Sequence, residues 1–168
     1  DKRVVMKYLE TDSVFYYDLP ENLKRDEDIL YRSVLRNPTI YKNLPEDLKE
    51  HIDLINICIH SGGNYYKDFP ENIQKDVDII KECIRYNPSV FSDIPEVYKN
   101  DPEIVEFTKE SIINYVKTSP DIDNIPKEFL SDDKILKEIT IIRPWFYSYL
   151  PPRLKKEEFL ARIAIENS

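Results

Sequence analysis

Leu19-Pro20-Glu21-Asn22-Leu23-Lys24-Arg25-Asp26 recurs, edited, as Leu44-Pro45-Glu46-Asp47-Leu48-Lys49-Glu50-His51 and as Phe69-Pro70-Glu71-Asn72-Ile73-Gln74-Lys75-Asp76. A fourth copy is Ile94-Pro95-Glu96-Val97-Tyr98-Lys99-Asn100-Asp101, and weaker ones open at Ile125-Pro126 and Leu150-Pro151. The prolines step by 25 residues three times, then by 31, then by 25. A fixed period of about 20–50 residues marks a chain built from stacked copies of one supersecondary unit.

Outward from each Pro, apolar residues fall at +3 (Leu23, Leu48, Ile73, Tyr98, Phe129, Leu154). They fall in pairs at +9/+10 (Ile29-Leu30, Leu54-Ile55, Ile79-Ile80) and at +13/+14 (Ser33-Val34, Cys58-Ile59, Cys83-Ile84). Offsets of i, i+1, i+4 and i+5 cover one face of an α-helix. An aromatic recurs at +21: Tyr41, Tyr66, Phe91 and Tyr147, with Ile122 taking that place in the fourth repeat. Each unit therefore predicts a short helix, a longer helix and a turn back.

The punctuation agrees. Pro at the first helical position lacks only an N–H that would be unpaired anyway, and the Glu after it lies at the positive end of the helix dipole. Asp18, Asn43, Asp68, Asp93 and Asn124 are suited to capping the turn into the short helix. Long helices are predicted to start after Asp26, Asp76, Asp101 and Asp132, with His51 in that place in the second repeat. They stop at Asn37-Pro38, Gly62-Gly63 and Asn87-Pro88.

Reading back from Pro20, Asp1 falls on the N-cap position, so the chain opens inside a repeat and is expected to close with a long helix at Ser168. The expectation is all-α: a right-handed α-solenoid of seven long and six short helices. It forms a single helical-repeat domain over residues 1–168, about six and a half repeats, a fragment or processed piece of a longer repeat protein.

A net charge of −8 argues against duplex DNA or an anionic membrane, both of which want clustered Lys and Arg. Hydrophobic residues at 41 % argue against disorder. No apolar run reaches the ~18 residues of a membrane span, and no signal-peptide pattern is present. Two cysteines make no disulfide framework, which places the chain in a reducing, intracellular compartment.

The unit Pro-Glu-x-Leu-Lys-x-Asp-x-x-Ile-Ile-x-x-Cys-Ile-x-x-Asn-Pro-x-x-Phe resembles a short helical repeat catalogued as a domain of unknown function, with members in giant viruses and intracellular bacteria. Pro-Glu stands here where that family has Ser-Glu, and Ser or Cys where it has Ala. The resemblance spans nearly the whole chain and implies a helical array with no known activity. Richness in Lys, Asn, Ile and Tyr fits the AT-rich genome of a large virus, so the compartment would be host cytoplasm or the virion.

No constellation for catalysis stands out. Cys58 and Cys83 share one repeat position with Ser33 and read as small spacers between packed helices. His51 and His60 lack the i, i+4 spacing of a helical metal site. The Glu column is a helix-start feature, and no Gly-rich phosphate loop exists. The expectation is no catalytic, cofactor or metal residue and no small-molecule substrate.

Function is instead sought where the repeat breaks. The fourth repeat carries six extra residues, predicting a helix from about Pro102 to Thr118. Arg143-Pro144-Trp145-Phe146-Tyr147-Ser148-Tyr149 breaks two columns: Trp145 replaces Val14, Thr39, Asn64 or Ser89, and Tyr149 replaces Asp or Asn. Ile141 and Ile142 are apolar where a solvated surface is expected. An apolar patch of Ile141, Ile142, Trp145 and Phe146, flanked by Arg143 and Tyr149, is predicted to dock another protein chain or further repeats of the same protein. The alternative is that Trp145 tucks against the neighbouring repeat. The function expected is a non-enzymatic interaction or scaffold module; the alternative is a helical-repeat nucleic-acid binder, against which the acidic charge counts.

Overall fold

Asp26 shows how each long helix starts. Its carboxylate accepts the backbone N–H of Ile29 at 3.3 Å, satisfying one of the donors left unpaired at a helix N-terminus. Asp76 accepts from Asp78 and Ile79, Asp101 from Glu103, Asp132 from Lys134 and Ile135, and Asp1 from Arg3. His51 and Glu157 hold the same position without a side-chain cap bond. The structure, a computed structural model, describes residues 1–167 apart from the side chain of Ser13. The expected helix end at Ser168 lies outside the described residues.

All regular structure among the described residues is helical, with no strand. The chain divides into two compact units. The first, Asp1–Ile79, holds α1 (Lys2–Thr11), α2 (Glu21–Lys24), α3 (Glu27–Arg36), α4 (Glu46–Lys49), α5 (Ile52–His60) and α6 (Glu71–Gln74). In it α1 packs on α3 and α3 on α5, and Leu9, Ile29, Val34 and Ile55 are fully buried between them. The second begins at Ile80, inside α7 (Val77–Tyr86). It continues with α8 (Glu96–Lys99), α9 (Pro102–Thr118), α10 (Asp133–Ile142), α11 (Pro152–Lys155) and α12 (Glu158–Glu166). Here α9 packs on α10 and α10 on α12, around Ile104, Ile112, Ile139 and Leu160.

The small side chains predicted as spacers, Ser33, Cys58 and Cys83, are buried. Ser33, Thr108 and Thr140 each return a hydroxyl to the carbonyl four residues back, those of Ile29, Ile104 and Leu136. That satisfies the polar group without a partner helix having to supply an acceptor. Cys58 and Cys83 are likewise buried, and burial pushes the Cys83 thiol up to about 12.

Three local expectations need correction. First, Pro20, Pro45, Pro70 and Pro95 have ψ of 146–150°, so they precede the short helices rather than open them. Their carbonyls accept the first helical bonds, as in Leu23 N–H to Pro20 at 2.9 Å. Second, Asn43 and Asn124 do not cap these helices: Asn43 donates to the Tyr17 hydroxyl and Asn124 to the Tyr115 hydroxyl. Asp68 pairs with Lys42 at 3.7 Å, and at the four short helices that begin after Pro20, Pro45, Pro70 and Pro95 no side-chain cap bond forms. Third, the segment after Pro126 is a single 3-10 turn, Lys127–Phe129.

The turns back are themselves 3-10 helical, over Ser13–Asp18, Pro38–Asn43, Tyr66–Asp68, Pro88–Ser92 and Pro144–Tyr149. Asn37 and Asn87 end one helix and cap the next turn, accepting the N–H of Thr39 and Ser89. α5 has no such Asn. It ends on Gly62, whose φ of +72° is the left-handed conformation that glycine adopts without strain. The aromatic at +21 then fastens each turn to the following short helix. Tyr41 donates its hydroxyl to the Lys49 carbonyl at 2.7 Å, Tyr66 to Gln74 at 2.6 Å and Tyr147 to Lys155 at 2.9 Å. Phe91 lacks the hydroxyl and packs edge-on against Phe129, centroids 4.9 Å apart. No helix among the described residues is long and apolar enough to cross a membrane.

Candidate functional site

The site lies where the last 3-10 turn breaks the repeat pattern. Arg143 precedes Pro144 and is extended, with φ −129°, as the pyrrolidine ring of a following proline demands. α10 therefore stops, its Ile139 carbonyl closed by the Arg143 N–H at 2.7 Å. Asp12, Asn37 and Asn87 occupy this position in other repeats and cap their own turn.

Arg143 acts differently. Its Nε donates to the Val116 carbonyl at 2.9 Å, and Nη2 to Lys117 and Ser119 at 3.2 and 3.4 Å. Those carbonyls are the unpaired, negative end of α9, the helix that carries the extra residues. The two irregularities singled out in the sequence therefore meet at Arg143. Arg143 was expected to flank a docking patch; it is a helix cap, half-buried. A parallel occurs in the first unit, where Arg36 donates to the Glu10 carbonyl near the end of α1.

Pro144–Tyr149 is held at its other end too. Tyr147 donates to the Lys155 carbonyl, and the Lys155 ammonium donates to the Ser148 carbonyl at 2.7 Å. Asp133 and Arg153 pair through bonds of 2.7, 3.1 and 3.4 Å, tying α11 to α10. On this fastened turn Trp145 is 46 % and Tyr149 67 % exposed, and Ile141, in the last turn of α10, is 49 % exposed. The Trp145 and Tyr149 rings meet edge-on with centroids 6.0 Å apart.

Phe146 departs from expectation: at 3 % exposure it belongs to the core, not to an exposed patch. Its ring lies under the surface pair, 6.2 Å from Trp145 and stacked on Tyr149 at 5.8 Å. Ile142 is half-buried. The outward-facing group is therefore Ile141, Trp145 and Tyr149, with Phe146 as its floor and Arg143 as its anchor. The expectation that Trp145 could tuck into a neighbouring repeat does not fit its exposure, and among the described residues its indole N–H has no acceptor.

Nothing here assembles a nucleophile with a base. Among the described residues no group of three or more His, Cys, Asp or Glu is placed to hold a metal ion. The arrangement offers an exposed edge-to-face aromatic pair with two unused polar tips, the kind of surface that buries apolar area while keeping a directional hydrogen bond.

No curated protein and no solved structure matches the chain. The sequence pattern of one family matches three times, over residues 1–49, 51–99 and 76–107. Those matches cover more than half of the chain, each begins at the start of a long helix, and the two longer ones each take in two long helices. The chain belongs to the family described as Domain of unknown function (DUF4116).

Proposed function

We propose that this chain is a non-enzymatic interaction or scaffold module, one part of a larger assembly, that captures another protein chain through Ile141, Trp145 and Tyr149. Its repeats stack as a right-handed solenoid of short and long helices. That reading is supported by the 25-residue step and by the packing of α1 on α3 and α3 on α5 in one unit, and of α9 on α10 and α10 on α12 in the other. It works in a reducing interior, which the burial of both cysteines favours, and its source is a large virus or an intracellular bacterium, as the base composition implied by its Lys, Asn, Ile and Tyr content suggests.

One observation carries the interaction reading. Trp145 and Tyr149 are exposed at repeat positions that are otherwise held by small or polar residues, on a turn fastened at both ends. Trp and Tyr lose little conformational freedom on binding and dominate interface hot spots, and a pre-ordered turn lowers that cost further. The test is cross-linking mass spectrometry in the native source. Cross-links from Lys155 and Lys156 to one partner, lost in a Trp145→Ala/Tyr149→Ala chain, are expected. An unchanged cross-link map in that chain refutes the proposal.

A further inference from the structure

We infer that the trough between α3 and α5 is a second docking site, for a short protein segment that presents an apolar side chain next to a Lys or Arg. Two depressions, of about 380 and 470 Å³, lie along this pair of helices and share Tyr31 and Asp53, so they form one continuous trough. Its walls follow from helical spacing. Glu27, Tyr31 and Leu35 stand at i, i+4 and i+8 on α3, facing Asp53 and Ile57 on α5.

The trough has two unlike ends. Towards the C-termini of both helices Tyr31, Leu35, Pro38 and Ile57 give it apolar walls, shared with the polar Asn56, His60 and Ser61. Tyr31 is 46 % and Leu35 51 % exposed, large apolar groups left to water on a fully formed helix pair. Towards the N-termini it is lined by Arg25, Glu27, Asp28, His51 and Asp53.

The sign of the charge there can be decided. Asp26, Glu27, Asp28, Asp47 and Asp53 are five carboxylates. The cations are Lys2, bonded to Asp26 and Asp28, and Arg25, bonded to Asp47; two minus five leaves −3. The N-termini of α3 and α5 add about half a positive charge each, which leaves roughly −2. Among the described residues Glu27 and Asp53 have no cationic partner. Tyr31 stands at the junction, so a basic side chain lying beside Asp53 would also lie against the Tyr31 ring and gain a cation–π contact. The apolar neighbour of that basic residue then covers Leu35 and Ile57. This surface is independent of Trp145 and Tyr149, which belong to the other unit.

The test uses the full chain and a random-peptide phage library as the probe. Wild-type protein should enrich peptides with an apolar residue close to a Lys or Arg, and Trp145→Ala should enrich the same set. Leu35→Asp, at an exposed position, should cut binding of the enriched peptide at least tenfold. Should Leu35→Asp fail to fold, Tyr31→Ala is the substitute, with the same loss expected. Glu27→Lys/Asp53→Lys should invert the preference, selecting acidic peptides in place of basic ones. Failure to enrich any peptide, enrichment without a basic residue, or a basic preference that survives the charge reversal overturns the inference.

Discussion

The guanidinium of Arg143 donates to the carbonyl of Val116 at 2.9 Å, joining the start of the last 3-10 turn to the end of the longest helix. Two further bonds reach Lys117 and Ser119. A hydrogen bond from a charged donor contributes about 1.5–3 kcal/mol, and a lysine cannot reproduce the planar fork. Arg143→Lys and Arg143→Gln should each destabilise the chain by about 1–3 kcal/mol. Hydrogen exchange should locate the loss in the last turn of α9 and in residues 143–149, with α3 unaffected. Uniform exchange across the chain would count against the cap.

Tyr41 tests the hydroxyl bond that closes a repeat. Tyr41→Phe removes only the bond to the Lys49 carbonyl and should cost about 1 kcal/mol, the net value of one such bond. In a chain of this size that lowers the melting temperature by about 2–4 °C. A Tyr41→Phe melt that overlays the wild type would show the bond to be idle.

Stability should depend on pH at both extremes. Burial raises the Tyr16 hydroxyl from 10.0 and the Cys83 thiol from 9.0, each to about 12. A raised folded value means stability is complete below the unfolded value and is lost as pH rises from about 9 to about 12. On the acid side, burial alone would push Asp132 up, but the Lys109 ammonium at 3.0 Å and the N–H groups of Ile135 and Lys134 hold it below 3.8. That contribution is present above pH 3.8 and disappears as pH falls below it. Urea midpoints across the pH range should show both limbs, and Lys109→Met should flatten the acid one.

Phe146 and Trp145 should separate stability from binding. Phe146→Ala empties a buried position and should cost about 3–5 kcal/mol. Trp145→Ala removes an exposed ring and should cost less than about 1 kcal/mol. Equal losses in chemical denaturation would place Trp145 in the core.

The long helices were legible because two independent signals coincide on them, apolar spacing and Asp caps. Pro102–Thr118 is legible to its last residue, since Asp101-Pro102 starts it and the apolar stripe simply continues. What escaped is finer than spacing. A proline one residue before a helix and one at its first position present the same sequence, and only ψ distinguishes them. The burial of Phe146 was in fact readable: counted from its Pro it falls with Ile40, Tyr65 and Val90, all buried. Arg143 was not, because a cap on a helix 24 to 27 residues away depends on how far α9 extends. The trough at Tyr31 and Asp53 was equally hidden. Each residue alone is an ordinary exposed side chain, and only the packing of α3 on α5 brings them together.

The decisive measurement is the affinity of the cross-linked partner for wild-type and Trp145→Ala/Tyr149→Ala protein by calorimetry, with melting temperatures taken on the same samples. An interaction module working through this turn predicts at least a tenfold loss, about 1.4 kcal/mol, with the melting temperature nearly unchanged. Equal affinity for the two proteins would contradict it.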